Sequence, residues 1–303
     1  MCGICGFTGY RQDQKTVIER MMKAIEHRGP DSEGSFCREK ITLGFRRLSI
    51  IDLEDGQQPM ESADGNLHIV FNGEIYDYKE LRAELEAFGI SFCTHSDTEV
   101  LINTIQQYGE KALNKLRGMF GFAVWNEQEQ SLMLARDFFG IKPVYYAEID
   151  GHFVFASEIK SILAFPGYER KVNQKALEQY LSFQYAPLEE TFFKGIYKLM
   201  PGHMLLYKNG NYEIKTYFKT KLTPGKWNRK TNMDQLRSQL AEILKDSVKH
   251  HMLSDVEVGA FLSGGVDSGY LASASGADQA FTVGFDEGDR YSEVNKAAKV
   301  AEK

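Results

Sequence analysis

The sequence predicts two domains of different fold class, an α+β domain followed by the beginning of an α/β domain. Alternation typical of strands dominates residues 117–156, and helical spacing of apolar residues precedes it. After a polar, basic stretch at 219–231, an apolar run at 256–262 leads into a glycine loop and a helix, the order found in parallel sheets. We therefore predict domains at 1–218 and 232–303, joined by a linker at 219–231.

Composition and charge narrow the class of protein. The chain has 303 residues, 43% of them hydrophobic, which is ordinary for globular domains. Its net charge of −6 argues against a general nucleic-acid binder, because such binders need clustered Lys and Arg. No apolar run approaches the ~18 residues of a membrane span, and the N-terminus lacks a signal-peptide pattern. We expect a cytoplasmic protein without a nucleic-acid or membrane partner.

The first part of the chain is predicted to mix strands and helices. A Gly-rich strand covers 3–10, and the apolar residues of 15–27 recur at helical spacing. A Gly-Pro turn follows at 28–32. Alternation at 41–51 predicts two short strand pieces on either side of a pair of arginines.

A strand at 67–72 is predicted to run into Asn72 and Gly73. An Asn-Gly pair often forms a hairpin turn, but Asp77 follows as the cap of an amphipathic helix instead of a matching strand. We therefore place Asn72 and Gly73 at an exposed strand-to-helix corner. The remaining predicted elements of this domain are a helix near 97–108, strands at 118–125, 131–136, 144–147 and 152–156, a helix at 173–183 and closing strands within 197–218.

Four cysteines are present, and two of them form the C-x-x-C of Cys2 and Cys5. Such a pair can indicate zinc or redox chemistry. A zinc site needs about four ligands, and Cys37 and Cys93 are isolated. In a strand, residues 2 and 5 also point to opposite faces. We therefore predict no metal site.

The chemistry of the chain is predicted to centre on Cys2. If Met1 is removed, Cys2 carries a thiol nucleophile and a free α-amino group, which titrates near ~7.7–8.0 and suits a general base. Nucleophile and base then share one residue. Attack by the thiol requires donors where negative charge develops on the substrate oxygen. Asn72 can donate its side-chain amide, and Gly73 its backbone N–H without a Cβ to block the approach.

Several motifs together resemble those of the class II glutamine amidotransferases, which use an N-terminal cysteine to release ammonia from glutamine. They are Cys2-Gly3-Ile4-Cys5-Gly6-Phe7, Arg28-Gly29-Pro30-Asp31-Ser32, Asn72-Gly73-Glu74-Ile75-Tyr76 and Gly140-Ile141-Lys142-Pro143. The resemblance implies an N-terminal-nucleophile αββα sandwich, two packed sheets between helical layers. It also implies catalytic roles for Cys2, Asn72 and Gly73, no cofactor for this half, and a glutamine site formed by Arg47, Leu48, Ser49, Ile50, Ile51, Asn72, Gly73, Glu74 and Asp97.

Three side chains of this implied site are expected to bind the charged groups of glutamine. We choose Arg47 over Arg46 for the α-carboxylate, because a guanidinium fork binds a carboxylate in bidentate fashion. The residue pattern alone interprets Asp97 as a helix N-cap. The resemblance instead implies that Asp97 binds the α-amino group, with Glu74 as its partner.

The second domain contains a candidate phosphate-binding loop at 263–268, between a predicted strand at 256–262 and a helix. Such a corner presents backbone N–H groups and the positive end of a helix dipole. The loop lacks the Walker pattern and resembles the pyrophosphate loop of ATP pyrophosphatases, although Gly269 stands where many relatives have Ser. A strand at 280–285 and a helix beginning at 292 follow. The resemblance implies ATP binding by Leu262, Ser263, Gly264, Gly265, Asp267, Ser268 and Val283.

A class II amidotransferase domain joined to this loop is similar to the glutamine-dependent asparagine synthetases. The resemblance implies synthesis of asparagine from aspartate, glutamine and ATP, which yields glutamate, AMP and pyrophosphate. ATP and Mg²⁺ are the implied cofactors of the synthetase half, and a homodimer is left open. Because family members are longer and doubly wound sheets typically need more strands, we interpret the chain as the N-terminal part of a longer enzyme.

Four alternatives stay open at the level of sequence. An amidotransferase of hexosamine or purine synthesis shares the N-terminal motifs, but the loop at 263–268 argues against it. A paralogue could amidate a carboxylate other than that of aspartate, and the chain could act as a glutaminase alone. A non-catalytic sensor or zinc module built on Cys2 and Cys5 is the alternative from a different functional class.

Overall fold

The computed structural model describes residues 1–221, 232–285 and 292–302 of the chain. The chain divides into two compact units, Met1–Thr220 and Lys221–Lys303. Most of the predicted linker, 222–231, lies outside the described residues. No helix within the described ranges combines the length and the apolar character that crossing a membrane requires.

Strands supply the framework of the first unit. They are, in chain order, β1 (Gly3–Thr8), β2 (Ser32–Cys37), β3 (Ile41–Arg47), β4 (Met60–Glu61), β5 (Leu67–Ile75), β6 (Gly118–Asn126), β7 (Ser131–Arg136), β8 (Tyr145–Ile149), β9 (His152–Ala156), β10 (Ile196–Lys198), β11 (His203–Lys208) and β12 (Asn211–Thr216). They pair antiparallel in two sheets of six, with the orders β10-β8-β9-β1-β3-β2 and β12-β11-β7-β6-β5-β4.

Helices cover the outer faces of both sheets. They are α1 (Gln14–Lys23), α2 (Tyr78–Ala87), α3 (Asp97–Tyr108), α4 (Ile159–Leu163) and α5 (Gln174–Phe183), with short 3₁₀ turns at Glu26–Arg28 and Gly109–Asn114. Helices α1 and α4 pack on the first sheet, whereas α3 packs on β5 of the second sheet beside α2. The predicted αββα sandwich is therefore confirmed.

Two hydrophobic cores hold these layers together. Phe45 and Phe155 of the first sheet meet Trp125 of the second sheet in the core between the sheets. On the other face of the first sheet, Phe7 packs with Ile18 and other apolar residues of α1. Because both faces of this sheet are covered, all six residues of β1 are buried, and the strand does not show the alternation of a half-exposed strand.

The predicted exposed corner at Asn72 and Gly73 is wrong. Both residues lie inside β5, which continues to Ile75 and pairs with β6 over its whole length. An Asn-Gly pair favours a turn locally, but the long-range ladder with β6 outweighs that preference. Asp77 does stand at the N-cap position of α2, yet its carboxylate accepts the N–H of Arg117 instead of capping the helix.

The arginine pair belongs to a strand that the sequence pattern divided wrongly. Arg46 and Arg47 end β3, and residues 48–51 are outside any strand. Both guanidinium groups are buried and form hydrogen bonds, which allows charged residues inside a strand. Strand β2, which pairs with β3, escaped the sequence analysis because its exposed polar residues give no apolar stripe.

The second unit contains the beginning of an α/β fold, as predicted. Its described elements are α6 (Met233–His251), β13 (Ala260–Phe261), α7 (Val266–Ser275), β14 (Ala280–Phe281) and α8 (Val294–Ala301), and the two strands are parallel. The predicted strands at 256–262 and 280–285 are thus far shorter than expected. Each strand has only the other as a partner within the described residues. The other residues of 256–262 and 280–285 therefore lack the strand-to-strand hydrogen bonds that would lengthen β13 and β14.

Candidate active site

A cavity of about 210 Å³ in the first unit brings together residues that are distant in sequence. Its wall includes Cys2 just before β1, the segment after β3, the end of β5 and the first turn of α3. Every residue predicted for catalysis or glutamine binding lines it except Ser49, whose N–H donates to Asp31 Oδ2 at 2.8 Å. Lining residues to which the sequence analysis assigned no role include Phe45, Gln58, Phe71, Ser96, Thr98, Met119 and Lys142.

Cys2 is fixed at its main chain and at its sulfur. Arg28 donates its Nε–H to the carbonyl oxygen of Cys2 at 2.9 Å. Leu48 donates its N–H to Cys2 Sγ at 3.4 Å, and the thiol donates to Leu48 O at the same distance. Burial raises the pKa of the Cys2 thiol, whereas the hydrogen bond from Leu48, the N-terminal amino group and the charges of Arg47 and Lys142 lower it.

Arg28 is itself held by a buried ion pair. Its Nη1 lies 3.0 Å from Glu158 Oε1, at the start of α4. Burial acts to raise the pKa of the Glu158 carboxyl, but hydrogen bonds from Arg28, Lys160 and His27 outweigh burial and hold the pKa at about 2. The carboxylate therefore stays charged, and it keeps Arg28 directed at the carbonyl group of Cys2.

One edge of β5 presents hydrogen-bond donors to the cavity. Side chains bind two N–H groups on this edge, because Phe71 N donates to Gln58 Oε1 and Ile75 N donates to Asp97 Oδ2, at 2.6 Å and 3.0 Å. N–H groups alternate between the edges of a strand, so the N–H of Gly73 points to this same edge. Phe120 is the residue opposite Gly73 on β6. It donates its N–H to Asp137 Oδ2 and accepts the N–H of Asp137 with its carbonyl oxygen.

The side chain of Asn72 adds a second donor. Asn72 is buried, and its amide nitrogen Nδ2 has no hydrogen-bond partner in the described part of the chain. A buried donor without a partner costs free energy unless a ligand binds it.

Gly73 must also be glycine, because a Cβ there would lie 2.2 Å from Met119 O.

Arg47 lines the cavity, but its guanidinium group is engaged with the chain itself. Its Nη1 donates to Leu53 O at 3.1 Å, and its Nη2 donates to the carbonyl groups of Ile51 and Asp52. Asp52 in turn accepts the N–H of His95 at 2.9 Å. In this arrangement Arg47 shapes the segment 51–53, a contact that sequence reasoning did not anticipate.

Asp97 is the first residue of α3, and Ser96 is the cap of that helix, with its side chain accepting the N–H of Thr98. The interpretation of Asp97 as an N-cap is therefore wrong. Its carboxylate is buried and accepts the N–H of Ile75 at 3.0 Å. Burial is the main cause that raises the pKa of Asp97 to about 7; the N–H of Ile75 lowers the pKa, and the charge of Glu74 raises it further.

Cys5 is separated from this site by the sheet. It lies in the core under α1, whereas Cys2 packs toward the core between the sheets. Burial raises the pKa of the Cys5 thiol to about 12, so it carries a proton at neutral pH. Within the described residues, no group of three or more His, Cys, Asp or Glu side chains could hold a metal ion.

The loop at 263–268 in the second unit leads directly into α7. Gly264 has a positive φ of 73°, and a Cβ there would lie 2.6 Å from the Cβ of Lys296 in α8. Ser263 and Ser268 tie the loop together through their hydroxyl groups, 2.9 Å apart. Leu262 is buried, and Val283 is exposed next to β14. Gly265 is the N-cap of α7 and Asp267 lies in its first turn, so the predicted phosphate-binding residues gather at a helix N-terminus.

Comparisons with known proteins identify the family. The family described as "Glutamine amidotransferase domain" matches residues 1–218. The chain belongs to this glutamine amidotransferase family. A second family, described as "Asparagine synthase", matches residues 239–303.

Named relatives support this membership. The chain is 44% identical over 311 residues to asparagine synthetase [glutamine-hydrolyzing] 1 of Bacillus subtilis, covering 98% of the chain and 48% of that protein. It is 32% identical over 311 residues to asparagine synthetase 3 of the same organism, covering 96% of the chain and 49% of that protein. The resemblance to glutamine-hydrolysing asparagine synthetases is thus confirmed, and the chain spans about half the length of these curated relatives.

A solved structure shares the fold of this amidotransferase. Glutamine phosphoribosylpyrophosphate amidotransferase from B. subtilis, in complex with ADP and GMP, matches with a TM-score of 0.56 at 19% identity. The match covers 96% of the chain and 67% of that protein. At this identity the comparison supports the fold alone, and it agrees with the αββα architecture.

Proposed function

We propose that the first unit hydrolyses the side-chain amide of glutamine, with Cys2 as the nucleophile and Asn72 and Gly73 as donors to the oxyanion. One observation carries the proposal: Asn72, whose amide nitrogen has no hydrogen-bond partner in the described part of the chain, lines the same cavity as Cys2. A buried donor beside a nucleophile is the arrangement that an oxyanion hole requires. The glutamine amidotransferase family match over residues 1–218 supports the choice of substrate.

The reaction divides into two steps. The sulfur of Cys2 bonds to the amide carbon of glutamine, and ammonia leaves when the tetrahedral intermediate collapses. Water then cleaves the thioester and releases glutamate. An α-amino group on Cys2, freed by loss of Met1, serves as the base. Burial lowers the pKa of the amino group that the chain carries at Met1, and the base needs the neutral form of the corresponding amino group on Cys2.

Charged side chains hold the remainder of the substrate in this proposal. Arg47 binds the α-carboxylate, and Glu74 and Asp97 bind the α-ammonium group. Leu48, Ser49, Ile50 and Ile51 form the segment that borders the substrate. Support comes from the burial of Asp97 on the wall of the cavity that Arg47 also lines, since a buried charge requires a partner of opposite sign.

For the full-length protein we propose synthesis of asparagine from aspartate, glutamine and ATP, with AMP and pyrophosphate as products. The match of residues 239–303 to the asparagine synthase family supports this activity. The proposed ATP site consists of Leu262, Ser263, Gly264, Gly265, Asp267, Ser268 and Val283, and residues 232–303 form the start of its domain. Mg²⁺ finds no ligand cluster of its own in the described residues, so we propose that it enters with the ATP phosphates. A cytoplasmic location and a homodimer belong to the same proposal.

The experiment that tests the glutaminase proposal compares Cys2→Ala with Cys5→Ala. Loss of the Cys2 thiol should abolish glutamate release, whereas Cys5→Ala should retain it because Cys5 lies in the other core. Intact-mass analysis of the active protein should show that Met1 is absent. Full activity with Met1 retained would contradict the role of the α-amino group, and equal loss in both variants would return attention to the C-x-x-C pair.

A paralogue that amidates another carboxylate is the alternative for the synthetase half. The test is to supply the full-length protein with glutamine, ATP and Mg²⁺, and then with or without aspartate. Release of pyrophosphate that depends on aspartate supports the proposal. Aspartate-independent release, or none, favours a different acceptor.

A further inference from the structure

Lys142 stands out among the cavity residues to which neither the sequence analysis nor the proposed mechanism gives a role. Only 6% of its surface is exposed, although it carries an ammonium group. It lines the cavity together with Cys2 and Glu74. No described residue forms a hydrogen bond or an ion pair with its Nζ. A buried lysine without a partner is costly, so its position calls for an explanation from the site that it faces.

The main chain of Lys142 is fixed from two sides. Its N–H donates to Asp137 Oδ2 at 2.9 Å. Its carbonyl oxygen accepts the Nε–H of Arg136 at 2.8 Å. Asp137 also accepts the N–H groups of Phe139 and Ile141, and it is almost completely buried. The segment 137–142 is therefore held rigidly around one carboxylate, and it places the side chain of Lys142 at the cavity.

The charge of Lys142 interacts with Glu74 and with the proposed nucleophile, Cys2. Burial lowers the pKa of Lys142, whereas the negative charges of Glu74 and of ionised Cys2 raise it. In return, the charge of Lys142 acts to lower the pKa of Cys2. Each group therefore favours the charged form of the other.

Arg28 and Arg47 are the other cationic side chains near Cys2, and each also holds a part of the chain in place. Arg28 is paired with Glu158, and the guanidinium group of Arg47 is bound by carbonyl groups of the segment 51–53. No described residue forms a hydrogen bond with the ammonium group of Lys142, on which the negative charges of Glu74 and of ionised Cys2 act. Several other ionisable groups line the cavity or act on Cys2 or on the amino terminus beside it. They are the amino group of Met1, Arg28, Asp31, Arg47, Glu74 and Asp97.

We propose that Lys142 supplies a positive charge that stabilises the thiolate of Cys2 in the empty site, and that Arg136 and Asp137 position it for this purpose. This inference rests on the proposed role of Cys2 as the nucleophile. It adds an electrostatic contribution that is separate from the base, since a nearby cation favours the thiolate whichever group accepts the proton.

The test measures thiol chemistry without glutamine. The protein is treated with iodoacetamide across about pH 6–11, and alkylation of Cys2 is followed by mass spectrometry of its peptide. Cys93 is exposed and serves as an internal reference in every sample. In Lys142→Gln the midpoint of the Cys2 pH profile should rise by about one unit. Because a thiolate of higher pKa is also more nucleophilic, the rate at pH 7 should fall only about threefold.

Three controls decide whether charge is responsible. Lys142→Arg should keep the midpoint close to that of the parent protein. Lys198→Gln is a matched variant, since Lys198 is a half-buried lysine outside this cavity whose Nζ donates to Ala186 O at 2.9 Å, and it should leave Cys2 unchanged. Anionic iodoacetate is then compared with neutral iodoacetamide. The rate of Cys2 alkylation by iodoacetate, divided by the rate with iodoacetamide, should be lower in Lys142→Gln than in the parent protein.

An unchanged midpoint in a folded Lys142→Gln protein would overturn the inference, as would a Lys142→Arg variant that behaves like Lys142→Gln. If Lys142→Gln does not fold, Lys142→Met takes its place. The contacts to Asp137 and Arg136 involve only the main chain of residue 142, so they do not depend on its side chain. Glutamate release is assayed separately. A protein that shows the shift but does not hydrolyse glutamine would contradict the proposed function and leave the inference standing.

Discussion

The amide group of Asn72 is the clearest case of a side chain whose surroundings make sense only with a bound molecule. Its neighbours form no hydrogen bond with Nδ2 in the described part of the chain, although the residue is 1% exposed. Removal of this donor therefore breaks no contact that holds the fold. The effect of its removal should appear in the reaction instead.

Asn72→Ala should lower kcat for glutamine hydrolysis by roughly 10²–10³, the range for loss of one oxyanion donor. KM should change little, because the oxyanion forms only as the reaction proceeds. Steady-state kinetics, with circular dichroism to verify the fold, gives the answer. A large rise in KM with kcat preserved would place Asn72 in ground-state binding instead.

The carboxylate of Asp97 makes glutamine binding sensitive to pH. Its pKa of about 7 lies above the ordinary value because the group is buried. The ionised form, which we propose to pair with the α-ammonium group of glutamine, is therefore lost as the pH falls through about 7. KM should rise about tenfold between pH 8 and pH 6. Asp97→Asn should have a high KM that no longer varies over this range, and a flat profile in the parent protein would contradict the assignment.

At the scale of elements, the helix α7 and the loop before it respond differently to an added methyl group. Gly269 lies inside α7, and a Cβ there would meet Val300 at 3.5 Å, an ordinary contact. Gly264 has a positive φ, and a Cβ there would clash with Lys296. Gly269, which stands where many relatives have Ser, therefore lowers the stability of α7, and the conformation of the loop does not require a glycine there.

Gly269→Ala should stabilise α7 by roughly 0.5–1 kcal/mol, because glycine is a poor helix former. Hydrogen exchange of the α7 amides should slow accordingly. Gly264→Ala is the matched comparison and should accelerate exchange in the same helix, since its backbone conformation and the nearby α8 both exclude a side chain. Equal behaviour of the two variants would show that the packing of α8 on the loop is misjudged.

Local patterns predicted most elements, and long-range pairing decided the remainder. Helix α1 and the strands β6, β7 and β9 follow from apolar spacing, so their predictions are confirmed. The extension of β5 across Asn72 depends on β6, a partner far away in sequence, whereas β2 pairs with the neighbouring β3 but its exposed polar residues give no apolar pattern. The same limit applies to the site. Motifs led to Cys2 and Asn72, whereas the role of Lys142 emerges only when the chain brings it to the cavity.

At the scale of the whole molecule, the two units differ in how complete their proposed sites are. Every residue proposed for glutamine hydrolysis lies in the first unit, between Cys2 and Lys142. The described part of the second unit has a sheet of two short parallel strands. Doubly wound nucleotide-binding sheets typically have about five or six strands. Phe261 and Phe281 of these strands are exposed, and within the described residues each strand pairs only with the other, so apolar side chains and one edge of each strand are uncovered.

The 303-residue chain should release glutamate from glutamine and should not form asparagine from aspartate and Mg-ATP. The measurement incubates the purified chain with all three substrates and quantifies glutamate, asparagine and pyrophosphate separately. The full-length protein under the same conditions is the control and should form all three. Asparagine with equimolar pyrophosphate from the 303-residue chain would show that the synthetase site lies within these residues.

The paired hydrogen bonds between Cys2 and Leu48 couple the chemical state of the sulfur to the chain that borders the substrate. Leu48 both donates to the thiol and accepts from it at 3.4 Å. A thioester sulfur has no proton to donate, so the carbonyl group of Leu48 loses its partner as soon as the acyl group forms. Leu48 directly follows Arg47, which anchors the segment 51–53. In the proposed reaction, one hydrogen bond at Leu48 is therefore lost each time the thioester forms, as ammonia leaves and before water attacks.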